Sequence, residues 1–152
     1  MRKRRHGYRQ GVYKPINRDK YKGIKNPMYR SSWELKFFSW CDNNPNVLEW
    51  TSENTIIPYI SPFDSKVHRY YVDNAVVIRE GGEISKYLVE IKPEKQTKPP
   101  VVKNCRKKQS TILYEKYTYA INQSKWEAAR KWCKKKGYKF LIITENELFT
   151  RK

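Results

Sequence analysis

Residues 68–92 read HRYYVDNAVVIREGGEISKYLVEIK, and the glycines at 81 and 82 decide how that stretch folds. β-Branched and aromatic residues fill both flanks, and a Gly-Gly pair supplies the positive φ angles that a two-residue hairpin turn requires. With Gly81 and Gly82 at the tip, counting outward pairs Glu80 with Glu83 and, at the far end, Asp73 with Glu90. A three-residue loop through Glu80 or Glu83 would instead turn Asp73 to the other face. Directly opposed residues stand about 4.5–5.5 Å apart at Cβ, where like charges destabilise. Glu90 and Lys92 are two residues apart and share a face of their strand. Two carboxylates and an ammonium are thereby expected together. A divalent cation would relieve the carboxylate repulsion, and oxygen ligands suit magnesium or manganese, which keep several waters and take substrate phosphate as a further ligand. Glu-x-Lys alone is a common tripeptide on solvated strands; the opposition of Asp73 is what gives it weight.

Charge is distributed in a way that matches this centre. The 152 residues carry a formal net charge of +18. Residues 1–30 hold eleven Lys/Arg and one acid, Asp19, and residues 101–136 hold eleven Lys/Arg with Glu115 and Glu127. Between them, residues 31–100 hold eight Lys/Arg against ten Asp/Glu. Basic flanks neutralise a phosphate backbone, and an acidic centre can collect the metal that activates attack on it. A protein that merely coats nucleic acid would be expected to be basic throughout.

Cys41, Cys105 and Cys133 are odd in number and widely spaced, with no Cys-x-x-Cys pair, which argues against a disulfide framework and a structural zinc site. His6 and His68 form no ligand cluster. A reducing cytoplasm is the simplest compartment. No apolar run approaches the ~20 residues of a membrane span, so no membrane partner is expected.

Residues 1–30 read as a basic N-terminal arm and 31–152 as one domain. The arm carries Arg2, Lys3, Arg4, Arg5 and Arg9, and Gly and Pro leave it no apolar period for a helix or strand. Tyr8, Tyr13, Tyr21 and Tyr29 could stack on bases or sit against the domain. Ser31 and Glu34 have capping-box spacing at the start of a helix ending near Asn43. Thr55–Ile60, Val67–Ile78 and Ile84–Lys92 read as three strands. A basic connection follows to Lys108, then one helix or two consecutive ones over Ser110–Lys136, with Gly137 as C-cap. Tyr138–Ile143 is a last strand, and Thr144 could open a final helical turn. The order αβββαβ predicts a layered α/β or α+β domain.

Metal-assisted phosphodiester hydrolysis needs ligands and a group that positions water. Asp73, Glu90 and the carbonyl of Ile91 are the expected ligands. Lys92 is the expected positioning group, which its ammonium supports better than proton abstraction. Glu34 is either a further ligand or only a helix cap. Lys95, Gln96 and Lys98, followed by Lys103, Arg106, Lys107 and Lys108, are candidates for DNA contact beside the five cations at the start of the arm.

Asp73…Glu90-Ile91-Lys92 after an acid in the first helix resembles the PD-(D/E)XK nuclease superfamily, whose core is αβββαβ. Longer stretches, YRSSWELKF (29–37), VLEW (47–50), IPYISP (57–62), KQTKPP (95–100) and YAINQSKW (119–126), resemble head-completion proteins of T-even-type contractile-tailed phages. The resemblance covers roughly residues 12–150. It implies a nuclease-like fold and a metal-dependent DNA endonuclease acting as a phage head is finished. It also implies phage head or portal proteins as partners, and a place in the host cytoplasm during infection or in the virion. Glu34, Asp73, Glu90 and Lys92 match the superfamily's site residues; Val72 stands where a proline is usual. A non-catalytic assembly factor gripping DNA on a nuclease fold is the alternative, and a transposase-like or repair endonuclease is a third. Oligomeric state is left open.

Overall fold

In the computed structural model, which describes residues 10–102 and 106–149, the chain opens with two short paired strands, β1 (Gly11–Val12) and β2 (Met28–Tyr29). Helix α1 (Ser32–Asn43) begins where Ser31 Oγ accepts the Glu34 N–H at 3.2 Å. Strand β3 (Val47–Ser52) follows, then a hairpin of β4 (Ile56–Ile60) and β5 (Val67–Tyr71). Next come β6 (Asn74–Glu80) and β7 (Glu83–Ile91), a 3-10 turn at Glu94–Thr97, helix α2 (Gln109–Lys136), strand β8 (Lys139–Ile143) and helix α3 (Glu145–Leu148).

The turn between β6 and β7 has two residues. Gly81 and Gly82 take φ of 55° and 83°, the positive angles of a type I′ turn, and Glu80 pairs with Glu83. Pairing then runs without a slip to Asn74↔Val89, one step short of Asp73 and Glu90. Strand order is β3-β6-β7-β8; β7 and β8 are parallel, and α2 is the crossover that a parallel pair requires.

Three assignments need correction. The arm, expected to hold no strand, contains the paired β1 and β2. The first strand of the αβββαβ core is β3, not Thr55–Ile60. A register shift between Val47 and Glu49 buries both Val47 and Trp50, three residues apart, and so erases the period-two pattern. The expected continuous strand Val67–Ile78 is two strands. Tertiary pairing breaks it: Val72 N–H donates to Thr55 O at 3.0 Å, Glu53 N–H donates to Asp73 O at 3.1 Å, and the chain passes there from the hairpin into the main sheet. The region over 110–136 is one helix and not two, and Gly137 caps it in the left-handed region at φ 77°. Thr144 caps α3 with Glu147 in a capping box.

Helices cover both faces of the sheet. On one face, Phe37, Phe38 and Cys41 of α1 pack with Val47, Trp50, Val76, Ile78, Val89 and Ile91. On the other, Trp126, Ala129 and Cys133 of α2 pack with Leu88 and with Ile57, Tyr59 and Tyr70 of the hairpin. Each such Val, Leu, Ile or Phe contributes about 1.5–3 kcal/mol by leaving water. The alternation along β7 puts Leu88 and Glu90 on the α2 face.

The expected arm is docked over residues 10–30; residues 1–9, with Arg2, Lys3, Arg4, Arg5 and Arg9, lie outside the described residues. Asp42, fully buried, is the anchor. Its carboxylate accepts from Tyr13 Oη (2.6 Å), Ile16 N (2.7 Å) and Asn17 N (2.9 Å). Lys20 Nζ donates to the carbonyls of Asp42 (3.2 Å) and Asn44 (2.7 Å) at the end of α1. The Tyr21 ring lies 4.8 Å from Trp50, and Tyr13 and Tyr29 pack on the α1 core. Of the two roles open to the tyrosines, these three take the structural one.

Candidate active site

The I′ turn fixes the register, and the register brings the acids together. Asp73, the residue before β6, accepts the Ile91 N–H on Oδ2 at 2.8 Å. Glu90 is buried on β7, 4% exposed. Its Oε2 accepts the Tyr70 hydroxyl at 2.5 Å, and its Oε1 lies 3.7 Å from Lys92 Nζ. In an extended strand the N–H and C=O of one residue project to the same side, so the Ile91 carbonyl faces Asp73.

Burial pushes the Asp73 carboxyl well above the usual carboxylate range, and the charge of Glu90 pushes it further. Glu34 adds to this, while the Ile91 N–H and Lys92 oppose it. Burial likewise raises Glu90, against Lys92, the Tyr70 hydroxyl and Lys125. Burial and the Glu90 charge raise the Tyr70 phenol, which therefore stays a donor. The pair is thus a site where negative charge is crowded and a cation is favoured. Among the described residues no group of three or more His, Cys, Asp or Glu side chains is arranged to hold a metal ion. Two carboxylates and a carbonyl fit a hard cation of the magnesium type, which leaves its remaining positions to water and phosphate.

Glu34 lies in the first turn of α1, where its carboxylate accepts the Arg30 N–H, one residue before the cap, in place of the Ser31 N–H of the expected capping box, and its charge helps raise Asp73. Among the DNA-contact candidates, Lys95 and Gln96 are exposed in the 3-10 turn after Lys92. Lys98 pairs with Glu94 at 3.2 Å. Arg106 and Lys108 are exposed before α2, and Lys107 pairs with Glu115 at 2.7 Å. Lys103 lies outside the described residues.

Two residues at this site were not singled out from the sequence. Tyr70 comes from β5, twenty residues before Glu90. Lys125 comes from α2, with its Nζ 5.6 Å from the Tyr70 ring centre and 5.8 Å from that of Tyr59. Burial lowers its pKa and Lys92 lowers it further, while Glu90 and Asp73 oppose that. Its signal was legible: Lys125 lies between Asn122 and Ala129 of the buried stripe, three and four residues away, where a core-facing helix is otherwise apolar.

Residues 44–145 match the family described as TnsA-like endonuclease N terminal, a span that holds Asp73, Glu90, Lys92 and Lys125 but begins after Glu34. A head completion nuclease of Enterobacteria phage T4 is 40% identical over 143 residues, covering 91% of this chain and 92% of that protein. This chain belongs to the TnsA-like endonuclease family, within the PD-(D/E)XK nucleases.

Proposed function

We propose that this protein is a magnesium- or manganese-dependent DNA endonuclease that processes packaged DNA as a phage head is completed. The carrying observation is the meeting of two carboxylates at the end of the β6–β7 hairpin: its pairing ends one step from Asp73 and the buried Glu90, the charge of Glu90 bears on Asp73, and Lys92, just past β7, lies 3.7 Å from Glu90. Asp73, Glu90 and the Ile91 carbonyl would hold the cation, with Glu34 as a further carboxylate from α1. When bound, such a cation lowers the pKa of water and offsets charge on a phosphoryl oxygen. Lys92 orients the attacking water and stabilises the negative charge that develops on the non-bridging phosphate oxygens as the new P–O bond forms and the bond to the leaving sugar oxygen breaks. Tyr70 holds Glu90 in one orientation, and Lys125 supplies a second positive charge for the phosphate. Lys95, Gln96, Lys98, Arg106, Lys107 and Lys108 would contact the backbone on either side of the cut, with Lys103, outside the described residues, as a further candidate.

The name of the T4 relative supports the head-completion setting. Phage head or portal proteins are the proposed partners, in the host cytoplasm during infection or in the virion. Plasmid cleavage with each metal, comparing the parent with Asp73→Asn, tests the activity. Metal-dependent cutting that the substitution abolishes is the expected result. No cutting of any DNA form would favour a non-catalytic assembly factor that grips DNA.

A further inference from the structure

The buried stripe of α2 is Asn122, Trp126, Ala129 and Cys133, and from Trp126 onward it packs on the sheet and hairpin, with Ile121 beside it. Toward its N-terminus the same face overhangs the loop that follows Lys92. Between helix and loop lies an open cavity of about 540 Å³, within the range of small-molecule sites. Pro99 and Pro100 form one wall, Tyr114 and Tyr119 the other, Lys95 lies on the lining, and Asn122 reaches it from the buried stripe. Asn122 is 5% exposed, yet its Nδ2 finds no hydrogen-bond partner among the described residues. An unpaired buried donor is costly, so a polar amide at this position points to an acceptor supplied from outside the chain.

We propose that this cavity receives a single unstacked nucleobase of the DNA strand at the active site, an inference that rests on the nuclease reading above. Proline and tyrosine walls suit a flat aromatic ring, and base–aromatic stacking tolerates any base. The Asn122 amide donates to a base carbonyl or ring nitrogen, and Lys95 meets the adjoining phosphate. Asn122 and Lys125 are three residues apart on α2, about 4.5 Å along its axis. That compares with about 3.4 Å per nucleotide along one DNA strand. One helix face thus presents an amide to a base and an ammonium to the neighbouring phosphate. The enzyme would then favour DNA in which a nucleotide near the cut is unpaired.

Binding without divalent metal tests this. The full chain is titrated with a duplex carrying one bulged 2-aminopurine and with a fully paired duplex of the same length. The bulged duplex should bind about tenfold tighter, with its fluorescence quenched by stacking. Asn122→Leu and Tyr114→Ala should each bring that ratio to within about twofold and leave affinity for the paired duplex unchanged. Leucine replaces an unpaired buried donor with an apolar group of similar size, and Tyr114 is 69% exposed, so neither change threatens the fold. Equal wild-type affinity for the two duplexes, or a preference that survives both substitutions, overturns the proposal. Cleavage is not read in this experiment, so failure of the cavity reading and failure of the nuclease reading show in different assays.

Discussion

Asp73→Asn probes the site by its electrostatics and not only by its chemistry. Asparagine keeps Oδ1 to accept the Ile91 N–H, so the local geometry is retained, while the charge facing Glu90 is removed. Two unit charges about 5 Å apart, in an effective dielectric of about 20, repel by about 3 kcal/mol. The wild-type pair relieves part of this by holding protons, which puts the gain from the substitution at about 1–3 kcal/mol. For a domain of this size each kcal/mol moves Tm by about 2–4 °C. The metal-free variant should therefore melt about 2–12 °C above the wild type near neutral pH.

The pH dependence has a defined sign. Both carboxyls have folded pKa values raised above their unfolded ones, so the folded chain binds more protons than the unfolded chain between the two values. Metal-free wild-type stability then falls as pH rises through that window, and Asp73→Asn should lose its share of the slope. Calorimetric melts in a chelator from about pH 5 to about pH 8 measure this, and a manganese titration should show affinity weakened more than about tenfold. A variant that melts no higher than the parent, keeps the parent's pH slope and binds manganese as tightly would refute the opposed-pair reasoning.

Lys92→Ala should keep metal binding while single-turnover cleavage falls by about 10²–10⁴-fold; a loss below about tenfold would return Lys92 to the solvated strand residues. Asp42→Ala should cost about 3 kcal/mol or more in urea unfolding, since it leaves Tyr13 Oη and the Ile16 and Asn17 N–H groups without their acceptor. Burial pushes the Asp42 carboxyl up but those hydrogen bonds outweigh it and hold it low, so its contribution should persist above the usual carboxylate range and be lost as pH falls below it. Deleting residues 1–9 removes five Lys/Arg, and on duplex DNA the slope of log K against log salt should become shallower by about 0.9 for every phosphate those cations had neutralised. An unchanged slope would assign those cations to a protein surface.

The parts of the site legible in sequence are those set by local chemistry. Two glycines with positive φ make the turn, the turn makes the register, and the register carries the pairing to Asn74 and Val89, one step from Asp73 and Glu90. Nothing beyond residues 73–92 is needed for that inference. Strand β3 was hidden because its bulge removes the alternation, and the break at Val72 was hidden because Thr55, seventeen residues earlier, makes it. Tyr70 and Lys125 reach Glu90 from a hairpin and a helix whose packing against one another the local pattern does not specify.

The docked segment illustrates the same limit from the opposite direction. Composition marks residues 1–30 as uniformly basic, yet Tyr13, Ile16, Asn17 and Lys20 are drawn onto the single acid Asp42 and the end of α1. One buried carboxylate, accepting three hydrogen bonds, fixes where the chain leaves the domain. Charge counts therefore locate a DNA-binding tendency, but whether a given cation meets phosphate depends on which carbonyls and carboxylates the fold leaves for it. Lys20 is already committed to two carbonyls of the helix end, whereas Lys95 stands exposed in the loop beside the active site.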